Sequence, residues 1–228
     1  MSVLAIVVMV VFACLILGPQ YWVRKAMADH DAHRGDLPGT GGELACHLIE
    51  ELGLEGVVVE ATDLGDHYDA KTRRVRLSQK NYSSASITAV AVAVHEVGHA
   101  IQHARGEDGL RFRLKLMSIA EITDKFASMF FIGAPVIAIF LRTPASLFIM
   151  VGIGVALLGF RVIVHLATLP VEYDASFRKA LPILKEGGYL HGEDLVSARR
   201  VLKAAALTYV SAALMGLIDL ARWIRMIR

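Results

Sequence analysis

The sequence predicts a mainly α-helical integral membrane protein carrying one small α/β domain. Three observations predict it. Hydrophobic residues make up 55% of the 228, and they are gathered in long blocks. A polar stretch from Pro19 to Lys125, enough for one small soluble domain, separates the first block from the second. Inside that stretch, short runs of alternating apolar residues stand between runs of helical period.

The first block, Ser2 to Gly18, is long enough to cross a bilayer or nearly so. No Lys or Arg precedes it and no small-x-small cleavage site follows. Tyr21 and Trp22 sit where an interfacial aromatic belt belongs, so residues 2–18 read as a retained anchor. Gly41 to Leu52 reads as an amphipathic helix ended by Gly53. Gly56 to Glu60 reads as a short strand, Leu64-Gly65-Asp66 as a turn, and Arg74 to Ser78 as a half-buried strand. That second strand, standing just before the next helix, is expected to offer a free edge to an extended peptide. Ser83 or Ser84 is expected to cap a long helix ending near Gly106.

Phe126 to Leu141 and Ala145 to Val164 form the second and third blocks, with only Arg142-Thr143-Pro144 between them. They predict a tight transmembrane hairpin over residues 126–168. Pro170 is expected to start a new helix, opening a polar segment over 169–203. Ala204 to Leu220 is the fourth block, so residues 204–221 read as a transmembrane or membrane-embedded helix.

Charge supplies an orientation. Arg24 and Lys25 follow the first block, Arg111, Arg113, Lys115 and Lys125 precede the second, and Arg178 and Lys179 follow the third. By the positive-inside rule, residues 19–125 and 169–203 both face the cytoplasm. Arg222, Arg225 and Arg228 oppose this if the fourth block crosses fully. The net charge of +2, without a clustered basic patch, gives no reason to expect nucleic acid. Cys14 and Cys46 form no metal-binding C-x-x-C and read as packing residues.

The chemistry lies in His95-Glu96-Val97-Gly98-His99, which follows the apolar run Ala89 to Val94. Histidines four apart on a helix point to the same side, so both can bind one Zn²⁺. Glu96 projects beside them and can take a proton from a water that the zinc makes acidic. Gly98 leaves room for close backbone packing. The bland reading is a surface helix with two satisfied histidines.

A catalytic zinc needs a third protein ligand. Gln102 and Arg105 stand where the metzincin pattern would put Gly and His. His103 lies one turn beyond His99, and three ligands on one straight helix cannot converge, so it reads as structural or second to the ligands. Glu172 is the better candidate. Two crossings return it to the side of the His95 helix, in the first turn of the helix expected from Pro170. Asp174 could orient a liganding histidine. Asp219, inside the fourth block, is the competitor, as in site-2-type intramembrane proteases.

Asp66 to Asp69, Val75 to Ser78, His95 to His103, Leu169 to Ser176 and Ala204 to Val210 resemble the YugP-type membrane neutral zinc metallopeptidases. The resemblance covers nearly the whole chain. It implies a gluzincin-like metallopeptidase domain, akin to the HtpX and CAAX-prenyl-endopeptidase proteases, in a multi-pass protein of the bacterial plasma membrane. It implies His95, His99 and Glu172 as zinc ligands and Glu96 as the base. The sequence departs from those relatives at Ser176, where they carry Asp four residues after the liganding Glu. The implied partners are the bilayer and peptide or membrane-protein substrates. The rival reading is a non-proteolytic membrane scaffold with structural zinc.

Overall fold

A computed structural model describes residues 17–140 and 143–226, less the side chains of 215–226 and of a few positions near 140 and 210. The anchor expected over 2–18 falls almost wholly outside the described residues, as does the side chain of Asp219. The chain is mainly helical with one small sheet. Its elements are α1 (Gly41–Glu51), β1 (Val58–Thr62), β2 (His67–Asp69), β3 (Arg74–Ser78), α2 (Gln79–Ser83), α3 (Ile87–Ala104), α4 (Asp108–Phe140), α5 (Pro144–Tyr173), a π-helix (Asp174–Ala180), α6 (Leu181–Glu186) and α7 (Gly192–Met226). Residues 21–111 and 170–208 form one compact unit, so both polar stretches contribute to it; residues 112–169 belong to a second unit.

In the first unit, α3 is the central element. Every residue from Ile87 to Gln102 is buried, which a surface helix could not show. The bland reading of His95 and His99 therefore fails on burial. Ser86, rather than Ser83 or Ser84, caps α3, its hydroxyl accepting from Ala89 N–H at 3.1 Å. Ser83 instead ends α2, and Ser84 is that helix's C-cap. Thr40 and Glu43 close a capping box at the start of α1. The core joins Leu48 of α1, Val75 and Leu77 of β3, Val94 and Val97 of α3, Leu184 of α6, and Val201 and Leu202 of α7. Cys46 is exposed on α1, which corrects its reading as a packing residue. The buried face of that helix is built from Gly41, Gly42, Ala45 and Leu48 instead.

The sheet order is β1-β3-β2, with β1 parallel and β2 antiparallel to β3. β3 is thus the central strand, and the free edge expected on it is taken by β2. The reason is local. Asp69 accepts from the Lys71 and Thr72 N–H groups and closes the turn that folds β2 back on β3. Asp66 accepts from Ser78 N–H at 2.7 Å and Asn81 Nδ2 at 2.8 Å, tying the start of β2 to the end of β3.

Pro170 does not start a helix. It lies inside α5, so Glu172 stands in that helix's last turn rather than a first one. Lacking an N–H, Pro170 gives the carbonyl four residues back no helical partner, and the chain then widens into the π-helix. The π-helix lies hard against α3. A Cβ on Gly98 would stand 2.9 Å from the Ala175 carbonyl oxygen. Gly98→Ala is therefore expected to cost about 1–3 kcal/mol through overpacking. Gly35→Ala, whose Cβ would meet nothing within 4 Å, is the control, and thermal unfolding in detergent compares the two.

In the second unit, α4 and α5 carry exposed apolar side chains such as Met129, Ile132, Phe140, Phe148 and Ile149. Among the described residues, one helical run is long and apolar enough to cross a membrane, Phe148 to Glu186, whose most apolar 18-residue stretch has a mean hydropathy of 2.2.

Candidate metal centre

His95 and His99 stand one turn apart on α3, their ring centroids 4.8 Å apart and nearly perpendicular at 79°. The last turn of α5 brings Glu172 to face them. Glu172 Oε2 lies 3.3 Å from His95 Nε2 and 3.3 Å from His99 Nε2. The three donor atoms all fall within 4.8 Å of one another, and the three residues are 4%, 2% and 1% exposed. Three donors this close and this buried could hold a metal ion.

The hydrogen bonds behind the two imidazoles fix which nitrogen faces the centre. Gln102 Nε2 donates to the Val171 carbonyl at 3.0 Å and to Asp174 Oδ2 at 2.8 Å. Both partners are acceptors, so the amide can lie only one way round. Its Oε1 then accepts from His99 Nδ1–H at 2.9 Å. Ser176 Oγ donates its single proton to the Leu202 carbonyl at 3.1 Å, so it accepts from His95 Nδ1–H at 3.0 Å. Both Nδ1 atoms therefore carry a proton, which leaves Nε2, the atom that faces Glu172, as the one that could bind a metal on each ring. Two imidazoles and one carboxylate are a donor set that suits zinc.

The support continues outward. Lys179, only 7% exposed, is held between Asp174 and Glu107, with Nζ 3.0 Å from Glu107 Oε1. Burial raises the Asp174 pKa, but the bonds from Gln102 and Lys179 and the charges of Lys179 and Arg178 outweigh it and hold the group below its ordinary value. A buried cation with two carboxylate partners thus braces the amide that sets the His99 ring.

Residues 5–228 match the family model described as "Putative neutral zinc metallopeptidase". The chain belongs to this family. It is 36% identical over 214 residues to "Putative membrane protease YugP" of Bacillus subtilis (strain 168), covering 91% of each chain. No solved structure matches it.

In this family member, the structure brings together His95, His99 and Glu172. Glu96 is adjacent, 6% exposed, and its carboxylate bonds to no described residue. Asp174 reaches His99 through Gln102. His103 stands apart. Its Nδ1 lies 2.8 Å from the Tyr68 hydroxyl, which joins α3 to β2, and burial, with the charge of Arg73, lowers its pKa. Sequence reasoning missed Gln102 and Ser176. Gln102 was legible in principle, since a residue three after His99 lies on the same helical face. Ser176 takes the bond to His95, and no helical period of the sequence points to it.

Proposed function

We propose that this chain is an integral-membrane zinc metalloendopeptidase, with His95, His99 and Glu172 holding the ion and Glu96 as the general base. The observation that carries this reading is the convergence of two imidazole Nε2 atoms on Glu172, beside a buried Glu96 that bonds to no described residue. A bound zinc ion would polarise the scissile carbonyl and make a water acidic near neutral pH. Glu96 takes the proton as the water oxygen attacks the carbonyl carbon. It returns that proton to the amide nitrogen as the C–N bond breaks. Ser176 and Gln102 keep both rings in the tautomer that can bind metal. β2 lies at an edge of the sheet and touches α3 through Tyr68 and His103, so an extended substrate segment pairs there rather than on β3.

The substrates are membrane-associated or unfolded segments, since the unit that holds the site is joined in sequence to apolar segments and the Bacillus subtilis relative is named a membrane protease. Substrate trapping tests this. A Glu96→Gln protein crosslinked in membranes should hold polypeptides that the wild type cuts. Trapped polypeptides that the wild type leaves intact would count against the reading.

Ser176→Ala and Gln102→Ala should each weaken zinc affinity by about 10–100-fold, as loss of a partner to a liganding histidine does. Competition with a calibrated chelator measures this, and unchanged affinity would mean that the rings are oriented by something else.

The domains follow the polarity of the chain. Residues 19–125 and 169–203 lie in the cytoplasm, the hairpin over 126–168 crosses and returns, and 2–18 and 204–221 lie in the membrane. Lys80, Thr143 and Glu186 are all exposed, so cysteines placed there report topology. In intact cells, and with Cys14 and Cys46 replaced, cysteines at Lys80 and Glu186 should resist a membrane-impermeant thiol reagent while one at Thr143 reacts. Labelling of only one of the first two would break the shared site.

A further inference from the structure

The hairpin of α4 and α5 holds a polar feature that peptide hydrolysis does not use. A cavity of about 350 Å³ opens between the two helices. Asp124, Ser128 and Phe131 line it from α4, and Leu157, Leu158 and Arg161 from α5. Opposite charges thus face one space, with His165 one turn beyond Arg161 and near enough to feel both, yet among the described residues no ion pair joins Asp124 to Arg161. Two opposite charges that share a cavity without pairing suit an occupant that carries both signs.

Their level in the hairpin says what is at hand. Asp124 lies sixteen residues before Phe140, and Arg161 lies seventeen after Pro144. At the helical rise, both stand roughly 24–26 Å from the turn, close to the ~30 Å thickness of a hydrocarbon core. Between that level and the turn, α4 and α5 expose Met129, Ile132, Phe140, Phe148 and Ile149. The cavity therefore sits where an apolar surface ends and charge begins, which is the depth of lipid headgroups.

The charges select among headgroups. Arg161 suits a phosphate, through parallel N–H bonds. Asp124 disfavours a headgroup that is only anionic, and it suits a primary ammonium that can donate a hydrogen bond. We propose that this cavity seats the headgroup of a phosphatidylethanolamine, with the phosphate on Arg161, the ammonium on Asp124, and the acyl chains along the apolar faces of α4 and α5. The inference rests on the membrane reading above and not on the peptidase reading.

Native mass spectrometry of the full chain, released from vesicles of equal phosphatidylethanolamine and phosphatidylglycerol, tests it. The wild type should retain phosphatidylethanolamine over phosphatidylglycerol by about tenfold or more, the scale of one charged hydrogen bond. Asp124→Asn should erase that preference while phospholipid is still retained. Arg161→Gln should lose retention of both lipids, and Arg161→Lys should restore it. Equal retention of the two lipids by the wild type, or an unchanged preference in Asp124→Asn, overturns the proposal. Alkaline carbonate extraction separates the two failures. A chain that stays in the membrane pellet without lipid preference overturns the cavity assignment alone. A chain that washes free overturns the membrane reading, and the cavity assignment with it.

Discussion

Glu172→Ala is expected to lose stoichiometric zinc and all measurable hydrolysis. Glu172 supplies the one carboxylate among three buried donors, and its Oε2 lies 3.3 Å from the Nε2 atom of each histidine. Removing it leaves two neutral imidazoles on one helix, too few to hold the ion at micromolar metal. The loss should exceed the ~10–100-fold typical of a change behind the ligands. It should therefore be larger than the losses in Ser176→Ala and Gln102→Ala. Asp219→Ala should keep its zinc. Metal analysis of the purified variants in detergent decides between them. Zinc lost from Asp219→Ala and kept in Glu172→Ala would move the site into the last apolar block.

Glu96→Gln is expected to keep zinc and lose turnover by about two to four orders of magnitude, the usual worth of a general base. The substitution preserves size, and Glu96 bonds to no described residue, so little of the fold should respond. The two variants thus separate binding from chemistry: one loses the metal, the other only the proton transfer. Comparable turnover in Glu96→Gln would remove Glu96 from the mechanism, and loss of zinc from it would make Glu96 a ligand.

The parts of this arrangement legible in the sequence are those set by local period. His95 and His99 share a face because both lie on one helix. The close approach at Gly98 follows from the missing side chain and is seen against Ala175. Counting crossings, a topological argument that needs no contact, points to Glu172, which the structure places beside the two histidines. Its helix differs from the expected one, because Pro170 marks a place where α5 widens rather than begins. β2 is only three residues long, too short to show a period, and without it β3 looked like an edge. Ser176 was invisible as a partner for His95 because the π-helix, which no sequence period announces, sets where residue 176 faces. Lys179 read as one more cytoplasmic charge, yet it is buried between Asp174 and Glu107.

Peptide hydrolysis by this chain should depend on zinc held by His95, His99 and Glu172. The most direct measurement is cleavage of an unfolded protein by the purified full chain in detergent, stripped of metal with a chelator and then titrated with zinc. Cleavage should vanish on stripping and return in proportion to zinc, saturating at one ion per chain, with Glu96→Gln binding the same single ion and cutting nothing. Cleavage that persists in the stripped protein, or a chain that takes up one zinc and still cuts no more than Glu96→Gln, would contradict the account.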